Sequence, residues 1–414
     1  MRPLAGKIVI GALAVGALAA AYWLGLQQAG ESTGEVAAIG PAPEEPETPD
    51  VHRPSPLPEG HPPSTTADDY QVGRAGTRFA HFKVGNSNVK ALLTDGPLLW
   101  VGTSGGVIRY DTEKDQHRLF DVRAGLLSNG IFHLSKLGDR LLVGTYGGGL
   151  SVYDPASEKW DNYNIQHGLA DAFVYDVEQM DNGDIWIATW SGANLVRGGR
   201  LSDRSAWTTF TVENTDGGLP NDWVYGLDKG GDGDLWLATE GGLAHFDDGQ
   251  WTHWTHQDGL GAAYELVRDQ IEFQRDPAKE SSHHARQKVE MGLQDVDVAY
   301  NPNYIVSLYA APDGTVWCGT WGGGLAHFDG QSWKNFTVAD GLPANHVFLL
   351  EPTGDGDIWV GTSGGLARFD GQSFKVYTTH DGLFANNVFS LARADDDSLW
   401  VGSYGGVAKL KGVN

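Results

Sequence analysis

Seven times along the chain a short stretch returns in nearly the same letters. It reads LWVGTSGGVIRYD from Leu99, LLVGTYGGGLSVYD from Leu141, IWIATWSGANLVRG from Ile185 and LWLATEGGLAHFDD from Leu235, then VWCGTWGGGLAHFDG from Val316, IWVGTSGGLARFD from Ile358 and LWVGSYGGVAKLKG from Leu399. Successive copies begin about 42 to 50 residues apart, with one interval of about 81. A period of that length marks a supersecondary unit that cannot bury its faces alone and stacks on its neighbours. One repeat-built body therefore replaces the two or three domains that 414 residues would otherwise suggest.

Each copy carries further shared parts. Upstream lies a strand-like run and a polar turn, as in VYDVEQMDNGDIW, VYGLDKGGDGDLW, VFLLEPTGDGDIW and VFSLARADDDSLW. Asn, Asp and Gly at these turns supply the backbone angles of tight hairpins. Downstream come a third strand, a turn such as FDGQS, and a fourth strand with an aromatic at each end: WTTF, WTHW, WKNF, FKVY. Four short antiparallel strands per repeat make a propeller blade. The last copy stops at VAKLKGVN without a fourth strand, and residues 79–82, FAHF, match the missing one. The expected fold is all-β, a seven-bladed β-propeller closed by its N-terminal strand. Trp100, Trp186, Trp236, Trp317, Trp359 and Trp400 recur at one second-strand position, with Leu142 the exception, and read as core.

Residues 341–370, GLPANHVFLLEPTGDGDIWVGTSGGLARFD, resemble the two-component regulator propeller repeat, in which a Gly-Leu-Pro turn and an Asn lead into a strand, an Asp-Gly turn and an LWIGT strand. The resemblance extends over about residues 78–412. It implies an extracytoplasmic ligand-sensing propeller of the kind found in bacterial hybrid histidine kinases, often responsive to glycan fragments. Here there is one propeller rather than two, and no kinase or DNA-binding segment follows Asn414. A sensor or docking module acting through another protein is what the resemblance leaves.

The N-terminal part sets the expected location. Arg2 and Lys7 precede an uncharged apolar run, residues 8–26, long enough to cross a bilayer as a helix. Residues 1–27 read as a signal anchor placing the rest on the periplasmic face of the bacterial inner membrane, with cleavage and secretion to the periplasm as the alternative. Residues 28–76 are Pro-rich and poor in large apolar side chains, a disordered tether, and residues 77–414 hold the propeller. A formal charge of -24 argues against a nucleic-acid backbone as partner. The single cysteine, Cys318, excludes a disulfide framework and reads as a buried hydrophobe.

Within the repeats, the variable letters carry the specific chemistry. The residue after the repeated Thr or Ser reads Ser104, Tyr146, Trp190, Glu240, Trp321, Ser363 and Tyr404. The residue before each first strand reads Asn88, Gly130, Phe173, Trp223, Tyr304, His346 and Asn387. Together they suggest an aromatic rim at the channel mouth, made of Tyr146, Trp190, Trp321, Tyr404, Phe173, Trp223 and Tyr304, with Glu240 and His346 as its polar members. Aromatic faces stack on sugars and cations, and a carboxylate beside them favours a positive or hydrogen-bonding ligand. Packing from blade to blade is the other reading of the same rings.

The long interval holds GAAYELVRDQIEFQRDPAKESSHHARQKVEMGLQDVDVAYNPNY; residues 262–300 read as a helical hairpin inserted between blades four and five, a lid or docking element. His283 and His284 are adjacent and point apart on a helix, which disfavours a shared metal. The Asp-rich turns at 354–357 and 395–397 offer oxygen ligands for calcium but lack the spacing of a dedicated loop, so no cofactor is expected. Three readings compete: a membrane-tethered module binding a small ligand such as a glycan or an envelope protein, an assembly subunit docked through the insertion, and a lyase or hydrolase. The last needs a convergent acid and base, for which Glu240 and His346 are the same-face candidates, so an enzyme is the least favoured.

Overall fold

The computed structural model describes residues 70–72, 79–231, 233–271, 288–289, 295–296, 298–353, 355–396 and 398–410. Residues 65–274 with 295–414 form the first of two units. The first unit is built of sheets. The apolar run at residues 8–26 and the Pro-rich segment lie outside the described residues, and among those described no helix is long and apolar enough to cross a membrane.

Five repeats fold into separate four-stranded antiparallel sheets, each in simple chain order. The third repeat is representative: Val174–Gln179, Ile185–Thr189, Gly192–Val196 and Trp207–Phe210, paired side by side. The predicted turn between its first two strands places Gly183 at φ 85°, in the left-handed region that glycine adopts without strain. The first strands of successive sheets adjoin one another in chain order, and Val388–Arg393 adjoins Phe79–Asp95, so the series returns on itself.

The first and last repeats differ from the expected pattern of separate sheets. They share one seven-stranded sheet, because a single long strand, Phe79–Asp95, serves both. Its N-terminal part pairs with the last strand, Phe79 opposite Leu410 through Lys83 opposite Gly406, so residues 79–82 stand where the missing fourth strand is expected. After a register shift its C-terminal part pairs with Leu98–Thr103 of the first repeat. Tyr70–Val72 adds a further short strand to it. Removing residues 1–87 would expose the edge of Leu399–Leu410 and open the series. Such a truncation is expected to lower Tm by more than about 5 °C in calorimetry, since several kcal/mol of pairing and packing go with it.

The core lies between sheets. Leu142, Leu150 and Val152 of the second repeat pack with Ile185, Ile187 and Val196 of the third in one cluster, and equivalent clusters recur along the series. The repeated tryptophans belong to this core: Trp100, Trp186, Trp236, Trp359 and Trp400 are buried, Trp317 half-buried, and Leu142 takes the same place in the second repeat. Cys318 is buried beside Val316 and Ala326, where burial pushes its thiol pKa up.

The GT letters have a local cause. The Thr189 hydroxyl donates to the Gly192 carbonyl at 2.7 Å and accepts from the Ser191 N–H, closing the loop between second and third strands. Thr145, Thr239 and Thr362 do the same for their own loops, and the Thr320 hydroxyl donates to the Gly324 carbonyl. Gly192 begins the third strand at φ 108°, and a Cβ there would lie 2.2 Å from the Phe210 carbonyl oxygen. The loop that carries each variable residue is thus held from both ends. In the long interval the described residues show a short helix, Tyr264–Val267, and then a 3-10 turn, Arg268–Gln270. Residues 272–287, with His283 and His284, lie outside the described residues.

Candidate functional site

The two variable series meet through the backbone. The Tyr146 N–H donates to the Gly130 carbonyl, the Glu240 N–H to that of Trp223 and the Ser363 N–H to that of His346, at 2.8, 3.1 and 3.1 Å. Residues far apart in each repeat are therefore neighbours at one end of the sheet. Their side chains then reach toward the next sheet. Tyr146 meets Phe173 edge-on at 4.6 Å between ring centroids, Phe173 meets Trp190 at 4.9 Å and Trp190 meets Trp223 at 4.6 Å. A second run stacks Tyr304 on Trp321 at 5.6 Å and sets Trp321 edge-on to His346 at 4.9 Å.

These residues differ in exposure. Tyr146, Phe173, Trp190, Trp223 and Tyr304 are half-buried, and Tyr404 is 36% exposed. Trp321 is 8% exposed, Glu240 1% and His346 fully buried. The His346 Nε2 lies 3.0 Å from the Ala299 carbonyl, and burial pushes the imidazole pKa down to about 4, so Nε2 carries the proton and donates. His346 is thus a neutral, fully buried member of the set.

A further set of rings joins this run, one that alternation alone does not place. Every first strand breaks register after its opening residue, between Val89 and Ala91, Ile131 and His133, Val174 and Asp176, Val224 and Gly226, Ile305 and Ser307, Val347 and Leu349, and Val388 and Ser390. The skipped residue is the extra residue of a β-bulge, which re-aims its side chain. In chain order these are Lys90, Phe132, Tyr175, Tyr225, Val306, Phe348 and Phe389. Phe132 lies 4.7 Å from Tyr175, Tyr175 4.8 Å from Tyr225, Tyr225 4.6 Å from Tyr304 and Phe348 5.4 Å from Phe389. The Tyr225 hydroxyl donates to Glu240 Oε2 at 3.2 Å. Burial raises the Tyr175 and Tyr225 phenol pKa values far above the usual range, so both keep their protons and stay donors. The result is a belt of ring faces crossed by a few phenol hydroxyls and one carboxylate.

Residues 299–322, 341–364 and 382–405 match the model of the two component regulator propeller. These are two-component regulator propeller repeats. Among solved structures, the repeats superpose on the extracellular domain of a hybrid two component system from B. thetaiotaomicron, with TM-score 0.58 and 16% identity over 78% of this chain and 40% of that one. They also superpose on virginiamycin B lyase from Staphylococcus aureus with Quinupristin, with TM-score 0.56 and 10% identity over 80% of this chain and 98% of the lyase. A third likeness is to YCF48 bound to D1 peptide, with TM-score 0.52 and 12% identity over 80% and 96%. At these identities the likeness is one of fold. The match spans about two-fifths of the length of the B. thetaiotaomicron extracellular domain. No curated protein matches it.

Further along the same first strands, the propeller repeats bring carboxylates together. Asp176 Oδ2 accepts from the Leu227 N–H of the next sheet at 2.8 Å, and its Oδ1 lies 2.7 Å from His133 Nδ1 of the preceding one. Asp228 Oδ2 accepts from the Ala310 N–H at 2.7 Å. Glu178 is pushed up to about 8 by burial and then by the Asp176 and Asp228 carboxylates, against the opposing pull of Lys229. Burial raises Glu351 to about 7, opposed by Arg393, and Asp228 to about 6, opposed by its backbone hydrogen bond. Among the described residues no group of three or more His, Cys, Asp or Glu side chains could hold a metal ion. Asp176 and Asp228 instead tie neighbouring sheets through backbone N–H groups.

Proposed function

We propose that this chain is an extracytoplasmic ligand-sensing propeller that binds a small ligand at its aromatic belt and signals through another protein. The observation that carries the reading is the belt itself: half-buried Trp190 and Trp223 in edge-on contact, continued by Tyr225 and its hydrogen bond to Glu240. Rings of different identity occupy one repeat position while Thr and Gly around them recur, which is how a scaffold carries specificity. Ring faces with phenol donors and a carboxylate suit a ligand with an apolar face and hydrogen-bonding edges, such as a glycan. Counting the long sheet as two blades that share Phe79–Asp95 gives seven blades in all. The extracellular placement of the B. thetaiotaomicron domain and the apolar run at residues 8–26 support a periplasmic position with a membrane tether.

A thermal-shift panel of small glycans, amines and peptides tests the binding role. A ligand at 100 times its Kd stabilises by about 2.7 kcal/mol, a rise of several degrees for a body of this size. At least one class is expected to raise Tm in the wild type and to have no effect on Trp190→Ala/Trp223→Ala. A response that survives the double substitution would place the ligand elsewhere and end this reading.

A further inference from the structure

Two neighbouring first strands carry polar side chains that the belt does not use. On Ile131–Leu137, His133 and Ser135 stand two residues apart, so the pleat puts them on one face. His133 follows the bulged Phe132, and Asp176 follows the bulged Tyr175 on Val174–Gln179 of the next sheet, so equivalent positions bring imidazole and carboxylate together. Asp176 Oδ1 lies 2.7 Å from His133 Nδ1, and His133 Nε2 lies 2.7 Å from Ser135 Oγ. A carboxylate only accepts, so Nδ1 carries the ring proton and Nε2 of the neutral ring accepts from the Ser135 hydroxyl. Asp176 is itself fixed by the Val177 N–H at 2.9 Å and the Leu227 N–H at 2.8 Å.

Hydroxyl, imidazole and carboxylate are thus linked in the order nucleophile, base and orienting acid, the arrangement that activates a serine. The repeat does not require it. The positions equivalent to His133 hold Ala91, Gly226, Ser307, Leu349 and Ser390 in the other repeats, and Ser390 donates to the Val89 carbonyl instead. Solvent reaches the set, since the His133 and Asp176 side chains are 15% and 25% exposed and Ser135 is half-buried.

We propose that Ser135, His133 and Asp176 form an acyl-transfer site that hydrolyses an activated ester such as an aryl ester. Ser135 Oγ adds to the carbonyl carbon while His133 Nε2 takes its proton. Collapse of the tetrahedral intermediate breaks the bond to the leaving oxygen, which takes that proton, and the acyl group stays on Ser135. Water, losing a proton to Nε2, then adds to the acyl carbon; the bond to Oγ breaks, Oγ recovers the proton and a carboxylic acid departs. Ester and water become acid and phenol or alcohol with no redox partner. Ser135 and His133 are the catalytic residues, and Asp176 is a positioning residue that keeps the proton on Nδ1 and Nε2 aimed at the hydroxyl. The site does not rest on the belt, and its test does not pass through Trp190 or Trp223, so either proposal can fail alone.

The experiment treats the full chain with diisopropyl fluorophosphate, from which a nucleophilic serine displaces fluoride, and maps the modified serines by peptide mass spectrometry. Ser135 is expected to react at least about 100-fold faster than Ser157, an exposed serine whose hydroxyl donates to Asp154, as general-base assistance of about 10²–10⁴ allows. With p-nitrophenyl acetate as substrate, Ser135→Ala should abolish turnover with Tm unchanged. Asp176→Asn should lower kcat at least about tenfold with KM little changed, a split that a purely structural carboxylate would not give. If a variant does not fold, the per-site labelling of the wild type still decides. Labelling of Ser135 no faster than that of Ser157 overturns the proposal.

Discussion

Trp359→Ala is expected to lower the unfolding free energy by about 3–5 kcal/mol in urea titration, the range for emptying a large aromatic site in a packed core. Trp359 has no exposed surface, and around it lie Tyr377 at 5.7 Å and the Arg368 guanidinium at 5.9 Å from its ring. Arg368 itself is held by Asp357 and Asp355 at 2.6 and 2.7 Å, so the walls of the cavity cannot readily collapse inward. A loss below about 1.5 kcal/mol would mean that the recurrent tryptophans are not the interlocking elements between sheets.

The other large effect is one of pH. Glu178, Glu351 and Asp228 hold protons in the folded state up to about 8, 7 and 6, whereas an unfolded chain releases them near 4. Between those limits the native state binds more protons than the unfolded one, so stability falls as pH rises. Below about pH 4 both states are protonated and the effect vanishes; above about pH 8 the penalty is complete. Since the three acids interact, the combined loss is on the order of a few kcal/mol rather than the sum of separate shifts. Tm is expected to drop by several degrees between pH 5 and pH 8.5, and Glu178→Gln to match the wild type at pH 5 and exceed it at pH 8.5. A Glu178→Gln variant that tracks the wild type across the whole range would contradict the proton-holding role.

The same contrast explains what could be read in advance. Hairpin turns, the recurrent tryptophans and the pairing of residues 79–83 with the chain's end are local or repeated features, and the letters show them directly. The merged sheet is less visible, since one strand serving two repeats looks in sequence like two short strands. Phe132, Tyr175 and Tyr225 were hidden for a different reason. A strict period of two assigns the residue after Val or Ile to the opposite face of the strand, and a bulge defeats that assignment. The recurring aromatic in VYDV, VYGL, VFLL and VFSL is the signal that points to it.

The acids were out of reach because Glu178 owes its high pKa first to burial and then to Asp176 and Asp228, the last from another repeat, and burial and that proximity are set by the stacking of sheets. His346 shows the converse. It shares an alignment column with half-buried Phe173 and Trp223, yet its ring is sealed behind Trp321 and bonded to Ala299. Depth along a loop is a tertiary property that an aligned column does not contain.

The most direct test of a ligand role for the belt is the stability of Trp190→Ala/Trp223→Ala measured beside Trp359→Ala. Half-buried rings in edge-on contact contribute about 0.5–1.5 kcal/mol on top of a burial term smaller than that of a fully buried ring, so the belt variant should lose less per substituted ring than the about 3–5 kcal/mol of the core variant. That result is the one expected if the rings stand there for a ligand. Equal losses per substituted ring in the two variants would return the belt to the core and contradict the account.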